Sequence, residues 1–153
     1  MFKYGLELLL WTDTFTPNSI PLIARAKELG FDGVEIHLRY PDQLPVREIH
    51  KELREKDMGV NFVLILTEEQ NLISKDSQVR KTGLEFFKRC IDAAYEIAGG
   101  ECVIGGVDYA AAGYLTGKAR TEDEWEWGVE NFKAAARYAQ DKGIVLAVEA
   151  INR

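Results

Sequence analysis

The chain has 153 residues, 46% of them hydrophobic and 29% charged, a composition that excludes disordered, collagen-like and membrane-embedded classes and suits one domain with a real core. Lys and Arg number 19 against 25 Asp and Glu, so the net charge is −6 with no basic run, which disfavours nucleic acid or another polyanion as partner. No stretch approaches the ~18 apolar residues of a membrane span. Glu7 interrupts the first apolar run after three residues, and no small-residue cleavage site follows, so no signal peptide is expected. With only Cys90 and Cys102, read as small core residues, no disulfide framework is indicated. The expectation is a soluble, cytoplasmic protein that meets neither membrane nor nucleic acid.

In chain order, the pattern predicts a strand over Lys3–Trp11, a helix over Pro17–Leu29, a strand over Gly33–Arg39 and a helix over Pro45–Asp57. A strand over Val60–Thr67, a helix over Asp76–Ala98 and a strand over Cys102–Asp108 follow, then a helix over Thr121–Lys142 and a strand over Ile144–Asn152. Four times an amphipathic stretch ends in Gly (Gly30, Gly59, Gly100, Gly143) and an apolar run follows at once, as at a helix C-terminus that turns through a left-handed residue. Thr16-Pro17, Leu44-Pro45 and Thr121-Glu122-Asp123-Glu124 read as helix starts. Strict alternation of strand and helix means a parallel sheet.

Side-chain parity separates an open doubly wound sheet from a barrel. Val34, Ile36 and Leu38 share one face of their strand, and Glu35, His37 and Arg39 the other. Leu6, Leu8 and Leu10 oppose Gly5, Glu7, Leu9 and Trp11; Ile144, Leu146 and Val148 oppose Val145, Ala147 and Glu149. Three strands with carboxylates on one face only favour a parallel (β/α) barrel, with helices on the apolar face and a polar mouth. Five strands and four helices make about half a TIM barrel, so residues 1–153 are read as a single domain, the N-terminal half of a barrel. Its open edges predict self-association into a homo-oligomer.

Glu149, one pleat from the end of the last strand, is the strongest catalytic candidate; the competing reading pairs it with Arg39 or a helix-end donor. Glu35, His37 and Arg39 are candidates for metal or proton chemistry. The commoner arrangement for such a trio is an internal ion pair with a hydrogen-bonded His. His50 reads as a solvated surface residue. Two His without HxH or HExxH spacing exclude a self-contained His-rich zinc site, so any metal chemistry must be oxygen-rich. Gly105-Gly106 lacks the surroundings of a phosphate loop and reads as a place of close backbone or ligand approach. Of Trp125 and Trp127, only one can face the core.

Five segments occur in a telling order: KYG at Lys3–Gly5, Trp11, ELGFDGVEI at Glu28–Ile36, VIGG at Val103–Gly106 and VEAINR at Val148–Arg153. Together they resemble the xylose isomerase-like (β/α)8 superfamily, and within it the N-terminal half of the D-tagatose/D-psicose 3-epimerase family. The resemblance implies a metal-dependent sugar isomerase or epimerase that moves a proton through a cis-enediolate. It implies that Glu149 is both a ligand of Mn²⁺ (or Mg²⁺ or Co²⁺) and an acid/base, and that Glu7, Phe15, Gly106, Val107 and Tyr114 line a small sugar or polyol substrate. The family's remaining ligands, an Asp, a His and a second Glu, fall beyond Arg153, so this half is expected to be inactive alone and to bind metal weakly. Glu7 stands where the family usually has an aromatic residue, and Phe15 where it often has Trp, which leaves other small polyol or keto-acid substrates open. The rival reading is a non-catalytic half-barrel that self-associates through its open edges.

Overall fold

A computed structural model describes residues 2–107 and 119–149. Its strands are β1 (Gly5–Glu7), β2 (Gly33–His37), β3 (Gly59–Val63), β4 (Val103–Val107) and β5 (Val145–Val148), all parallel and in the spatial order β1-β2-β3-β4-β5. Between them run α1 (Pro21–Glu28), α2 (Val46–Glu55), α3 (Ser77–Ala98) and α4 (Glu122–Gln140). A doubly wound sheet reverses its strand order at a switch point and so carries helices on both faces. Strictly sequential order with crossovers of one hand leaves every helix on the same face, which is how a (β/α) barrel wall is built.

Burial follows from that order. Val34 and Ile36 of β2, Leu38 just after it, Phe62 and Leu64 along β3, and Ile104 of β4 are buried in one apolar cluster with the helical residues Ile23, Ile49, Phe87, Ile91 and Ala135. The opposite face, with Glu7, Glu35, Asn61, Gly105, Ala147 and Glu149, is half-buried or exposed. Two helices are fixed by their caps, that of α4 as predicted. Asp76 accepts the Gln78 N–H at 2.7 Å to start α3, and Thr121 and Glu124 cap each other's backbone N–H groups to start α4. Cys90 and Cys102 are free and buried, the Cys90 thiol facing the Leu38 carbonyl at 3.5 Å. Trp125 is exposed and Trp127 half-buried, each beneath an arginine, Arg120 and Arg80 respectively.

The first strand is much shorter than Lys3–Trp11. After three residues the Glu7 carboxylate turns back to accept the Leu9 N–H at 3.1 Å, and Leu8–Leu10 winds into a 3-10 turn. Leu8 therefore enters the core while Leu10 is exposed, so the predicted common face of Leu6, Leu8 and Leu10 does not form. The first predicted helix likewise divides, because a Thr16–Ser19 capping box closes a 3-10 turn at Pro17–Ser19 before α1 begins. Beta-branched runs overstate the other strands at their carboxyl ends, where the chain leaves the ladder: β3 stops at Val63, before the predicted Thr67. Asp108 and residues 150–153 lie outside the described residues. Gly30 and Gly143 take the expected positive φ, but at the two other junctions Asp57 and Gly99 do so, and Gly59 instead begins β3.

Gly83 shows packing overruling propensity. It sits inside α3, where Ala would ordinarily be better by about 1 kcal/mol, yet a Cβ there would collide with the Gln70 carbonyl of the crossing β3–α3 connection. Gly83→Ala is therefore expected to destabilise the fold by roughly 1–3 kcal/mol in urea unfolding, against the sign that helix propensity alone gives.

Candidate active site

The inward face is organised in register rows. Gly5, Gly33 and Gly59 stand side by side at the amino ends of β1, β2 and β3, so closely that a Cβ on Gly33 would lie 2.9 Å from the Gly59 carbonyl oxygen. Two residues on, Glu7, Glu35 and Asn61 form the next row, and His37, Val63 and Gly105 the row nearest the carboxyl ends. The candidate side chains thus gather at the carboxyl ends of the strands, where barrel enzymes carry their chemistry.

Glu7 and Glu35 are cross-strand register partners on the inward face. Burial, then the neighbouring Glu35 carboxyl, pushes the Glu7 carboxyl up to about 7, against the opposing pull of the Leu9 N–H. Glu7 therefore keeps its proton through much of the acidic range. Glu35 reaches on across the sheet, its Oε1 standing 3.7 Å from where a Cβ would be on Gly105. Asn61 closes the row by accepting the Val103 N–H at 3.2 Å.

His37 is 5% exposed, and neither ring nitrogen has a hydrogen-bond partner among the described residues. Burial, then the charge of Arg39, lowers it to about 4, so the ring is neutral at pH 7 and offers one donor and one acceptor. The predicted internal ion pair does not form among the described residues: Arg39 is exposed, no ion pair joins it to Glu35, and His37 is left without the expected hydrogen bond. A buried polar group in that state costs about 1–3 kcal/mol.

Glu149 follows β5 directly, exposed and without an ion-pair partner among the described residues. The structure therefore brings Glu7, Glu35 and His37 together and sets Glu149 on the far strand of the same sheet. Among the described residues no three His, Cys, Asp or Glu side chains converge to hold a metal. Glu149 supplies one hard oxygen donor, which fits a divalent cation as part of a ligand set and not as the whole of it.

The remaining candidates separate. Phe15 is buried in the β1–α1 connection. Gly106 and Val107 end β4, whose register with β5 shifts between Ile104 and Val107, so Gly105-Gly106 serves a bulge. Tyr114 lies outside the described residues. His50 is not simply solvated: its Nδ1 lies 2.7 Å from the Ile97 carbonyl, joining α2 to the last turn of α3. A cleft of about 750 Å³ opens beside Arg39, Asp42, Thr67, Phe86 and Arg89, and none of Glu7, Glu35, His37 or Glu149 lines it. The polar row on the inward face is the better candidate, because it combines an unpartnered buried side chain with carboxyls on rigid strands.

The pairing of Glu7 with Glu35 and the place of Asn61 escape a strand-by-strand reading. Their signal is the repeated start of the first three strands, Gly5-Leu6-Glu7, Gly33-Val34-Glu35 and Gly59-Val60-Asn61.

A sequential parallel sheet with helices outside and polar groups at the carboxyl ends of its strands defines part of a (β/α) barrel enzyme wall. The sequence model of the Xylose isomerase-like TIM barrel family matches residues 23–153, and the chain belongs to that family. It is 31% identical over 152 residues to an L-ribulose 3-epimerase of Methylomonas sp. (strain DH-1), covering 99% of this chain and 52% of that protein. It is 25% identical over 159 residues to a D-psicose 3-epimerase of Agrobacterium fabrum, with 99% and 53% covered. A crystal structure of D-allulose 3-epimerase from Methylomonas sp. in complex with D-allulose superposes with a TM-score of 0.91 at 29% identity, over 99% of this chain and 52% of that one. The chain spans about half the length of the relatives it matches, their N-terminal half.

Two opposed pH dependences follow. Glu7 binds its proton more tightly folded than unfolded, so its contribution is complete below about pH 4.5 and is lost as pH rises through about 7. His37 binds its proton less tightly folded, so its contribution is present above about pH 6.5 and is lost as pH falls through about 4. In unfolding titrations, Glu7→Gln should remove the loss on the alkaline side of this window and His37→Gln the loss on the acid side. Mutant and wild-type curves that run parallel from pH 4 to 8 would show that neither group titrates as its surroundings require.

Proposed function

We propose that this chain supplies the first five strands of a metal-dependent ketose 3-epimerase, with Glu149 as a metal ligand and the acid/base for one face of the substrate. The observation that carries the reading is the position of Glu149: a carboxylate without an ion-pair partner among the described residues, at the carboxyl end of β5, in a chain whose relatives with sugar 3-epimerase names match it nearly end to end.

Inverting a carbon next to a ketone needs one group to take the proton from one face and another to return it to the opposite face. Glu149 does the first: its carboxylate removes the proton, and the electron pair left behind moves onto the carbonyl oxygen to give an enediolate. A divalent cation such as Mn²⁺, when bound, stabilises negative charge where it develops on the substrate oxygens. Among the described residues no three His, Cys, Asp or Glu side chains gather into a site around Glu149. The return of the proton to the other face therefore belongs to groups outside these strands, and the 153-residue chain alone is expected to turn over nothing.

In the natural protein that carries these strands, Mn²⁺-dependent C3 epimerisation of D-allulose or L-ribulose is expected, followed by NMR of the sugar. Glu149→Gln should lower kcat by about 10²-fold or more, and an undiminished rate would overturn the assignment. A second reading draws on Val145 and Val148, which β5 leaves exposed: a non-catalytic wall that joins a second copy through that strand. It requires an oligomer in sedimentation that forms without metal and dissociates on Val148→Lys.

A further inference from the structure

We propose that Asn131, on the outer helix α4, is a positioning residue: it fixes the β3–α3 connection as a rigid side of the mouth, a role that rests on the epimerase reading and adds to it a residue outside the sheet. The connection, residues 64–76, leaves the carboxyl end of the central strand, and residues 65–70 line one side of the cleft of about 750 Å³. Long connections at the mouth of a barrel often serve as moving lids. This one is held from behind at three points. Asn131 Nδ2 donates to the Leu72 carbonyl at 3.0 Å and, one turn back on its own helix, to the Trp127 carbonyl at 2.8 Å, so the second bond aims the first. Arg80 Nη1 donates to the Ser74 and Lys75 carbonyls while its guanidinium lies 4.3 Å from the centroid of the Trp127 ring. The Gln70 carbonyl rests on Gly83.

Helix propensity gives no reason for an Asn here, since a Leu or Met in the same half-buried place would suit α4 better. What Asn131 adds is a donor for the carbonyl of fully buried Leu72, which no backbone N–H reaches among the described residues. Between the holding points the connection is stiffened by its own side chains: the Thr67 N–H donates to Gln70 Oε1 at 3.1 Å and the Ile73 N–H to Asn71 Oδ1 at 2.9 Å. Every group that holds it from behind belongs to α3 or α4, so the helix pair sets where this side of the mouth stands. The connection is two strands from β5, hence away from the proton chemistry assigned to Glu149. Loosening it lowers the fraction of protein ready to take substrate, and apparent affinity falls by that fraction, while a bound substrate restores the ordered form. The effect is therefore on KM and not on kcat.

The test uses the natural protein that carries these strands, assayed with Mn²⁺ for C3 epimerisation of D-allulose, with backbone amide exchange read on the same preparations. Asn131→Asp keeps the size of the side chain and has no donor at neutral pH. It should raise KM about tenfold or more with kcat within about twofold of wild type, and speed exchange at Gln70, Ile73 and Ser74. Asn131→Gln, which keeps the donors, should recover part of the affinity. Arg80→Gln releases the connection at its other end and should move KM and exchange the same way, which decides the matter if Asn131→Asp does not fold. Tyr138→Phe loosens the same helix pair elsewhere by removing the bond to Asp92, and should change neither KM nor exchange in the connection. Faster exchange at an unchanged KM, a kcat that falls at constant KM, or exchange as slow as in wild type overturns the role. Wild-type protein that epimerises neither D-allulose nor L-ribulose overturns the epimerase reading and the role with it.

Discussion

All four helices pack on one side of the sheet, so every polar side chain that the strands carry has only the other side to occupy. That constraint produces the rest. It makes Val34, Ile36, Phe62 and Ile104 a continuous core against the helices, and it lines up Glu7, Glu35, Asn61 and His37 on a face that barrel closure would enclose. The Gly5, Gly33 and Gly59 row lets the amino ends of the first three strands approach closely, which a side chain at Gly33 would prevent.

The electrostatics of the wall arise from burial more than from charge pairing. Burial raises Glu7 to about 7, where about half of it keeps its proton at pH 7, and lowers His37 to about 4, where the ring is neutral at that pH. Glu149, by contrast, is exposed at the far strand.

Much of the fold was legible because its signals are local. Alternation of strand and helix, the Thr121 cap, and the parity of Val34, Ile36 and Leu38 each need only a few neighbouring residues. The misreadings come from competition between local choices. Glu7 capping the Leu9 N–H ends β1 early, and Asp57 takes the left-handed turn that Gly59 was expected to make. The site was less legible for a different reason. Glu149 could be placed from the end of its strand, but the juxtaposition of Glu7 and Glu35 is set by inter-strand register, and the isolation of His37 by packing from several elements. Neither can be read from one strand's alternation.

The central claim is that the carboxyl ends of these strands, and Glu149 above all, face a cation and its ligand. Paramagnetic broadening by Mn²⁺ of the backbone amide resonances tests it most directly, because even weak binding is located by distance. The account predicts broadening centred on Glu149, extending to neighbouring carboxyl ends of the strands and sparing His50, Met58 and Gly100, which line a cavity together at the opposite end. Broadening centred on the acidic first turn of α4 at Glu122, Asp123 and Glu124, or none near Glu149 at any Mn²⁺ concentration, would contradict it.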